Sequence, residues 1–177
     1  MKKLLMLILT MSFYTQSAFG SAAPAPALTQ NQQLLAAAMR GDLDGVQAAL
    51  DGGANINARC PIFGHTAFYS AAWNGHVDVV QALIEHLPQN ERVAFINAAD
   101  YDGNTALYYA AWNGHREVVQ LLLQRGADIN ARTNQVNTAL DIARQRRHQD
   151  VVTLIEDEIE ARAVRENNRA CRRAWCR

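Results

Sequence analysis

From Gln30 to about Glu160 the apolar residues fall in paired short blocks at mixed three and four spacing, and a glycine separates the members of most pairs. The clearest pair lies in GNTALYYAAWNGHREVVQLLLQRGADIN. There Leu107, Ala110 and Ala111 mark the buried side of a short helix, and Thr105 is placed to cap it through its hydroxyl. Two adjacent alanines keep that side thin. Gly114 can take positive φ at little cost, which stops the first helix and turns the chain into a second. In the second, Val118, Val119, Leu121, Leu122 and Leu123 point inward before Gly126 ends it. A pair of helices this short cannot cover its own apolar surface, so the pattern predicts stacked pairs sharing one core.

The pairs repeat in sequence as well as in pattern. AAWNGH occurs at Ala71–His76 and again, 39 positions on, at Ala110–His115. Gly41, Gly75 and Gly114 are 34 and 39 apart, and Thr66, Thr105 and Thr138 are 39 and 33 apart, which sets a period near 33. The unit endings recur as INAR at Ile56–Arg59, INAA at Ile96–Ala99 and INAR at Ile129–Arg132. Four units follow, at 30–59, 60–99, 100–132 and 133–160. The first lacks a Thr-led turn, as an amino-terminal cap would. The last replaces its two turn glycines by Val136 and Arg147 and carries Arg144, Gln145, Arg146 and Arg147 at the end of its first helix. The second unit holds about six extra residues, around Leu87–Phe95, and such insertions are expected as loops on one face.

Outside the array the pattern changes. Met1–Gly20 has two lysines, an apolar stretch from Leu4 to Tyr14, then small and polar residues, and it reads as a secretory signal peptide cut before Ser21. The stretch is much shorter than the roughly 20 apolar residues of a membrane span. Residues 21–29 read as a flexible spacer. Loss of the leader removes both lysines. The remaining 15 basic residues are all arginine, against 17 acidic ones. Residues 161–177 hold six arginines and one glutamate, so an acidic body trails a basic, cysteine-containing tail. Such a tail suits an anionic membrane surface, whereas export argues against nucleic acid.

Candidate chemistry is sparse. No G-x-S-x-G, H-E-x-x-H, G-x-x-x-x-G-K-[ST] or C-x-x-C is present. His76, His115 and His148 share one repeat position, where starting the second helix explains all three. No cofactor, no metal and no catalytic residue is expected, so the chain reads as a non-enzyme. Cys171 and Cys176 are expected to close the small loop CRRAWC in an oxidising compartment, leaving Cys60 free; pairing of Cys60 with either, or between chains, stays open.

The units resemble ankyrin repeats, whose pattern has a turn, T-P-L-H-x-A, a Gly-His link, a Val/Leu-rich helix and a G-A-x-x-N-A ending. Here the first motif reads TAFYSA at Thr66–Ala71, TALYYA at Thr105–Ala110 and TALDIA at Thr138–Ala143. Alanine replaces the proline each time, and Tyr69, Tyr108 and Asp141 replace the histidine. The resemblance implies an all-α solenoid of about four helix-turn-helix repeats with β-turn tips, following the signal peptide. It further implies a monomer that holds another protein on the turn tips and the concave face of the first helices. Carried over by position, the partner-facing residues before each Gly link are Met39, Arg40, Trp73, Asn74, Trp112, Asn113 and Gln145, with Arg146 next to the last. Those at the tips are Ile62, Phe63, His65, Tyr101, Asp102, Asn104, Asn134 and Gln135. Trp73 and Trp112 are expected side by side, forming with Ile62, Phe63 and Tyr101 an aromatic patch of the kind that marks a binding site. The expected role is a periplasmic bacterial protein that inhibits, protects against or assists an envelope enzyme. The alternatives are a secreted effector bound to a host protein, or an envelope scaffold held by its tail.

Overall fold

A computed structural model describes residues 28–60 and 64–175, with side chains as far as Cys171. The segment expected to be a signal peptide, the start of the expected spacer, Ile62, Phe63 and Cys176 lie outside the described residues. Every regular element among those described is a helix. In chain order they are α1 (Gln30–Arg40), α2 (Leu43–Asp51), α3 (Ala67–Asn74), α4 (Val77–His86), α5 (Gln89–Ile96), α6 (Ala106–Asn113), α7 (Arg116–Gln124), α8 (Ala139–Arg146) and α9 (Gln149–Trp175).

Four of these, α1, α3, α6 and α8, form an inner row in which each packs directly on the next; α2, α4, α7 and α9 lie behind them. The inner helices pack more closely on one another than the outer ones do, so the row curves with the inner helices on its concave side. Small residues make the close approach possible, since Ala37, Ala38, Ala71, Ala72, Ala110, Ala111 and Ala143 are all buried between inner helices. Val46, Val79, Val80, Leu83, Ile84, Val118, Val119, Leu122, Val151 and Ile155 fill the space between the two rows.

The links between helices are as tight as the pattern requires. Gly41, Gly75 and Gly114 take φ of 74°, 79° and 76°. The next residue's N–H returns to an alanine carbonyl one turn back, as in His76 to Ala71 (3.0 Å) and His115 to Ala110 (2.9 Å). Val136 and Arg147, which stand where glycine is expected, adopt the same left-handed region at φ 65° and 63°. Thr105 and Thr138 cap α6 and α8 through their hydroxyls, the latter in a reciprocal box with Asp141, while Thr66 makes no side-chain cap bond.

Two features differ from expectation. The insertion is not a loop but the helix α5. Pro88 starts it and Glu91 sits in its first turn. Arg92 ties it back to the carbonyls of Leu87 (2.9 Å) and Glu85 (3.1 Å). Buried Phe95 sets its ring 4.6 Å from Phe68, so core burial converts a polar insertion into helix. The tail, in turn, is not separate from the last repeat: α9 runs 27 residues, through the boundary expected at 160. Cys171 is exposed and Cys60 half-buried, and the two are not bonded to each other.

Candidate protein-binding site

The Gly-His link fixes the geometry of the inner face. A Cβ on Gly75 would lie 2.6 Å from Nδ1 of His115, and one on Gly41 equally close to His76. Each glycine is therefore the seat of the next repeat's imidazole. From that seat the ring reaches back with Nε2 to a main-chain carbonyl of the preceding repeat: Met39 for His76 (3.0 Å), Trp73 for His115 (2.9 Å) and Trp112 for His148 (3.1 Å). The carbonyl of Trp73 also accepts from Nδ2 of Asn113 at 3.1 Å. The residues before the glycines thus leave from pinned backbone.

On that backbone the two indoles stack, with centroids 6.4 Å apart and planes at 27°. Trp73 packs edgewise on Tyr109 (5.2 Å) and Trp112 leans on Tyr108 (5.9 Å). The Arg146 guanidinium lies 3.8 Å over the Trp112 ring. Both indoles are half-buried, so they seal the stack and still present an edge to solvent. Met39 is half-buried, while Arg40, Asn74 and Gln145 are exposed. Asn74 donates to the Ser70 carbonyl (2.8 Å), and Asn113, half-buried, serves the stack.

The turn tips divide differently from expectation. Tyr101 is 61% exposed, but its ring sits over Gly64, where a Cβ would come within 2.9 Å of it, and not with the tryptophans. Asn134 links neighbouring tips, donating to the carbonyls of Asp102 (3.0 Å) and Tyr101 (3.2 Å). Asp102 and Gln135 are exposed. His65 and Asn104, expected to face a partner, instead turn inward onto Asp100, whose side chain is 0% exposed. Tyr109 donates its hydroxyl to Asp100 Oδ2 and contacts His65 Nε2 at 2.8 Å, and His65 Nε2 lies 3.3 Å from the same carboxylate. Asn104 adds its main-chain N–H (2.8 Å) and its amide (3.0 Å). Burial raises the Asp100 pKa, but bonds from His65, Tyr109 and Asn104 outweigh it and hold the carboxyl well below its usual range. Burial pushes Tyr109 the other way, upward, with the Asp100 bond adding to it. Beside this group the buried Tyr69 hydroxyl meets no partner in hydrogen-bonding geometry. Desolvation carries it up to about 12 although the Arg59 charge opposes this. The cluster closes the tip of the third repeat against the second. Sequence reasoning missed it because the bonds join residues as far as 44 positions apart.

Among the described residues no group of three or more His, Cys, Asp or Glu side chains is placed to hold a metal ion. An open hollow on α9, lined by Asp157, Glu160, Ala161, Val164 and Arg165, mixes both signs of charge and converges on no common point.

Comparison with known families places this stack. Residues 34–133 match the family described as ankyrin repeats (three copies). The chain belongs to the ankyrin-repeat family. The match spans the first three helix pairs, and the fourth ankyrin-like pair, α8 with the start of α9, packs onto α6 and α7 in the same manner. Ankyrin repeats generally bind other proteins, so the chain is, coarsely, a protein-interaction module. The Gly-His link of the ankyrin unit is explained here by the glycine seat and the carbonyl bond.

Proposed function

We propose that this chain is an exported, non-enzymatic ankyrin protein of the bacterial periplasm that binds another protein through its concave aromatic face, and by doing so inhibits, protects against or assists an envelope enzyme. The observation that carries the binding reading is the Trp73–Trp112 pair. Two indoles held by pinned backbone at equivalent places on neighbouring repeats lose little freedom on binding, and tryptophan is among the commonest interface hot spots. Met39 and Gln145 stand at the tryptophans' own position on α1 and α8, Arg40 and Asn74 one residue later on α1 and α3, and Asp102, Asn134 and Gln135 belong to the tips. Export rests on the composition of Met1–Gly20. In the same oxidising setting we propose a Cys171–Cys176 disulfide at the end of the tail, read by intact mass after alkylation without reductant; a mass with every thiol alkylated counts against it.

The test is affinity capture from periplasmic extract by the chain from Ser21, beside Trp73→Ala/Trp112→Ala. Wild type is expected to enrich one protein that the double variant loses at a temperature where the variant, less stable without its indole stack, still shows wild-type helical circular dichroism. Equal capture by both sinks the aromatic face as the binding site. The basic tail supports a second, membrane-surface reading less well, because Arg162 and Arg165 are both drawn onto Glu158. Removal of 166–177 that abolishes sedimentation with anionic vesicles would favour it.

A further inference from the structure

Charge is segregated between the two sides of the array. The outer helices carry Asp44 and Asp51 on α2, Asp78 and Glu85 on α4, Arg116 with Glu117 on α7, and on α9 the acidic Glu156, Asp157, Glu158 and Glu160 ahead of the arginines that begin at Arg162. The inner helices carry Arg40 on α1, no charged residue on α3 or α6, and Asp141, Arg144 and Arg146 on α8. Asp141 is engaged in its cap, accepting from the N–H and hydroxyl of Thr138, and Arg144 pairs with Glu156 at 2.5 Å. Arg40 pairs with Asp42 at 3.7 Å, so the inner side of an otherwise acidic body offers one arginine without a carboxylate partner, Arg146, beside the two indoles.

Arg146 is the group that sets the partner's chemistry. No carboxylate among the described residues is within ion-pair distance of it, and its guanidinium carbon lies 3.8 Å over the Trp112 ring. A guanidinium against an aromatic face keeps N–H donors at its own rim, and a carboxylate can accept from two of them at once. The guanidinium of Arg146 occupies a face of the Trp112 ring, and the Trp73 indole lies next to it with centroids 6.4 Å apart. A nucleobase needs a free aromatic face. An indole edge suits an aliphatic or aromatic side chain of a polypeptide.

Resting on the binding reading above, we propose that the inner face takes an acidic segment of another protein, whose carboxylate docks on Arg146 beside an apolar side chain lying against the edges of Trp73 and Trp112. The test is selection of random peptides of about 16 residues, displayed on phage, against the chain from Ser21. The expected winners are net negative, with Asp or Glu next to Leu, Phe or Trp. Their affinity falls about tenfold or more on Arg146→Glu, less on Arg146→Lys, and also falls as salt rises from about 0.05 to 0.5 M. Arg146 is exposed and loses only one ring contact, so both variants should stay folded, with a melting point at most a few degrees below wild type. Neutral or basic winners that still need Trp73 and Trp112 overturn the acidic partner and leave the binding face standing. Acidic winners indifferent to Arg146→Glu overturn the proposal too. So does equal competition by a single-stranded oligothymidylate or by phosphatidylglycerol vesicles, which transfers the site to nucleic acid or lipid. If no winner depends on the tryptophans, this proposal and the binding reading fail together.

Discussion

Gly75 is constrained twice, by its own φ of +79° and by the ring of His115 where its Cβ would be. An alanine there takes on left-handed backbone, about 1 kcal/mol, and displaces an imidazole whose bond to Trp73 contributes about 1 kcal/mol more. Gly75→Ala is therefore expected to lower stability by about 2–3 kcal/mol, read as a shifted denaturant midpoint at unchanged slope. Val136 has the same backbone without the ring, at φ 65° and 61% exposed, so Val136→Gly should gain about 0.5–1 kcal/mol. A neutral Gly75→Ala would show that the ring seat contributes nothing. The glycine positions, the Thr105 cap and the left-handed places of Val136 and Arg147 were legible in the sequence, because each follows from a helix that must stop at a fixed point. The Asp100 cluster was not, since no local pattern joins His65, Asp100 and Tyr109. Its behaviour with pH follows from direction alone. The folded Asp100 pKa lies below an unfolded value of about 4, so its contribution is fully present above that pH and is lost as pH falls below it. Asp100→Asn is expected to cost about 2 kcal/mol or more at neutral pH and to flatten the stability curve below about pH 4. An unchanged acid limb would mean that the carboxylate does not couple to folding.

At the level of helices, what was legible is what alternates with period 3.6, and what was missed is what depends on a neighbour. α6 and α7 lie where the apolar blocks put them. α5 was hidden because Pro88 reads as a breaker and because only Phe95 and Ile96 are buried in it; its helix is secured by Phe68 across the repeat. The length of α9 was hidden for a similar reason. Past Ile155 its residues are mostly exposed, and the contact that keeps it on the array is Arg162, which donates to the carbonyls of Ala127 (3.2 Å) and Leu123 (3.2 Å) while pairing with Glu158. Leu123 lies in the last turn of α7 and Ala127 in the turn that follows it, so Arg162 fastens α9 to the end of the third repeat. Arg162→Ala should thus destabilise by about 1–2 kcal/mol. Removal of residues 166–177 should leave the midpoint within about 0.5 kcal/mol, because none of Glu166 to Cys171 is buried. Equal losses from the two changes would assign the stabilising role to the tail and not to the arginine.

Across the whole molecule the interfaces between successive repeats are unequal, and in a linear array that inequality becomes an order of opening. Between the second and third repeats lie the indole stack, the Tyr69–Tyr109 contact, the Asp100 cluster and the bonds of Asn113 and His115. The third and fourth share the His148 bond, the Arg146–Trp112 contact and the Arg162 clamp. The first and second share small side chains, with the His76 bond and no aromatic pair among the described contacts. α1 also has a neighbour on only one side of the inner row. The array is therefore sealed at its carboxyl end and weakest at its amino end. Native-state hydrogen exchange should find the amides of α1 and α2 opening at least about tenfold more readily than those of α6 and α7, a gap of about 1.4 kcal/mol. Arg162→Ala should narrow that gap by speeding α7 while leaving α1 unchanged. Uniform exchange through α1 to α7 would instead show one cooperative unit, in which the aromatic interface stabilises the first repeat as much as its own.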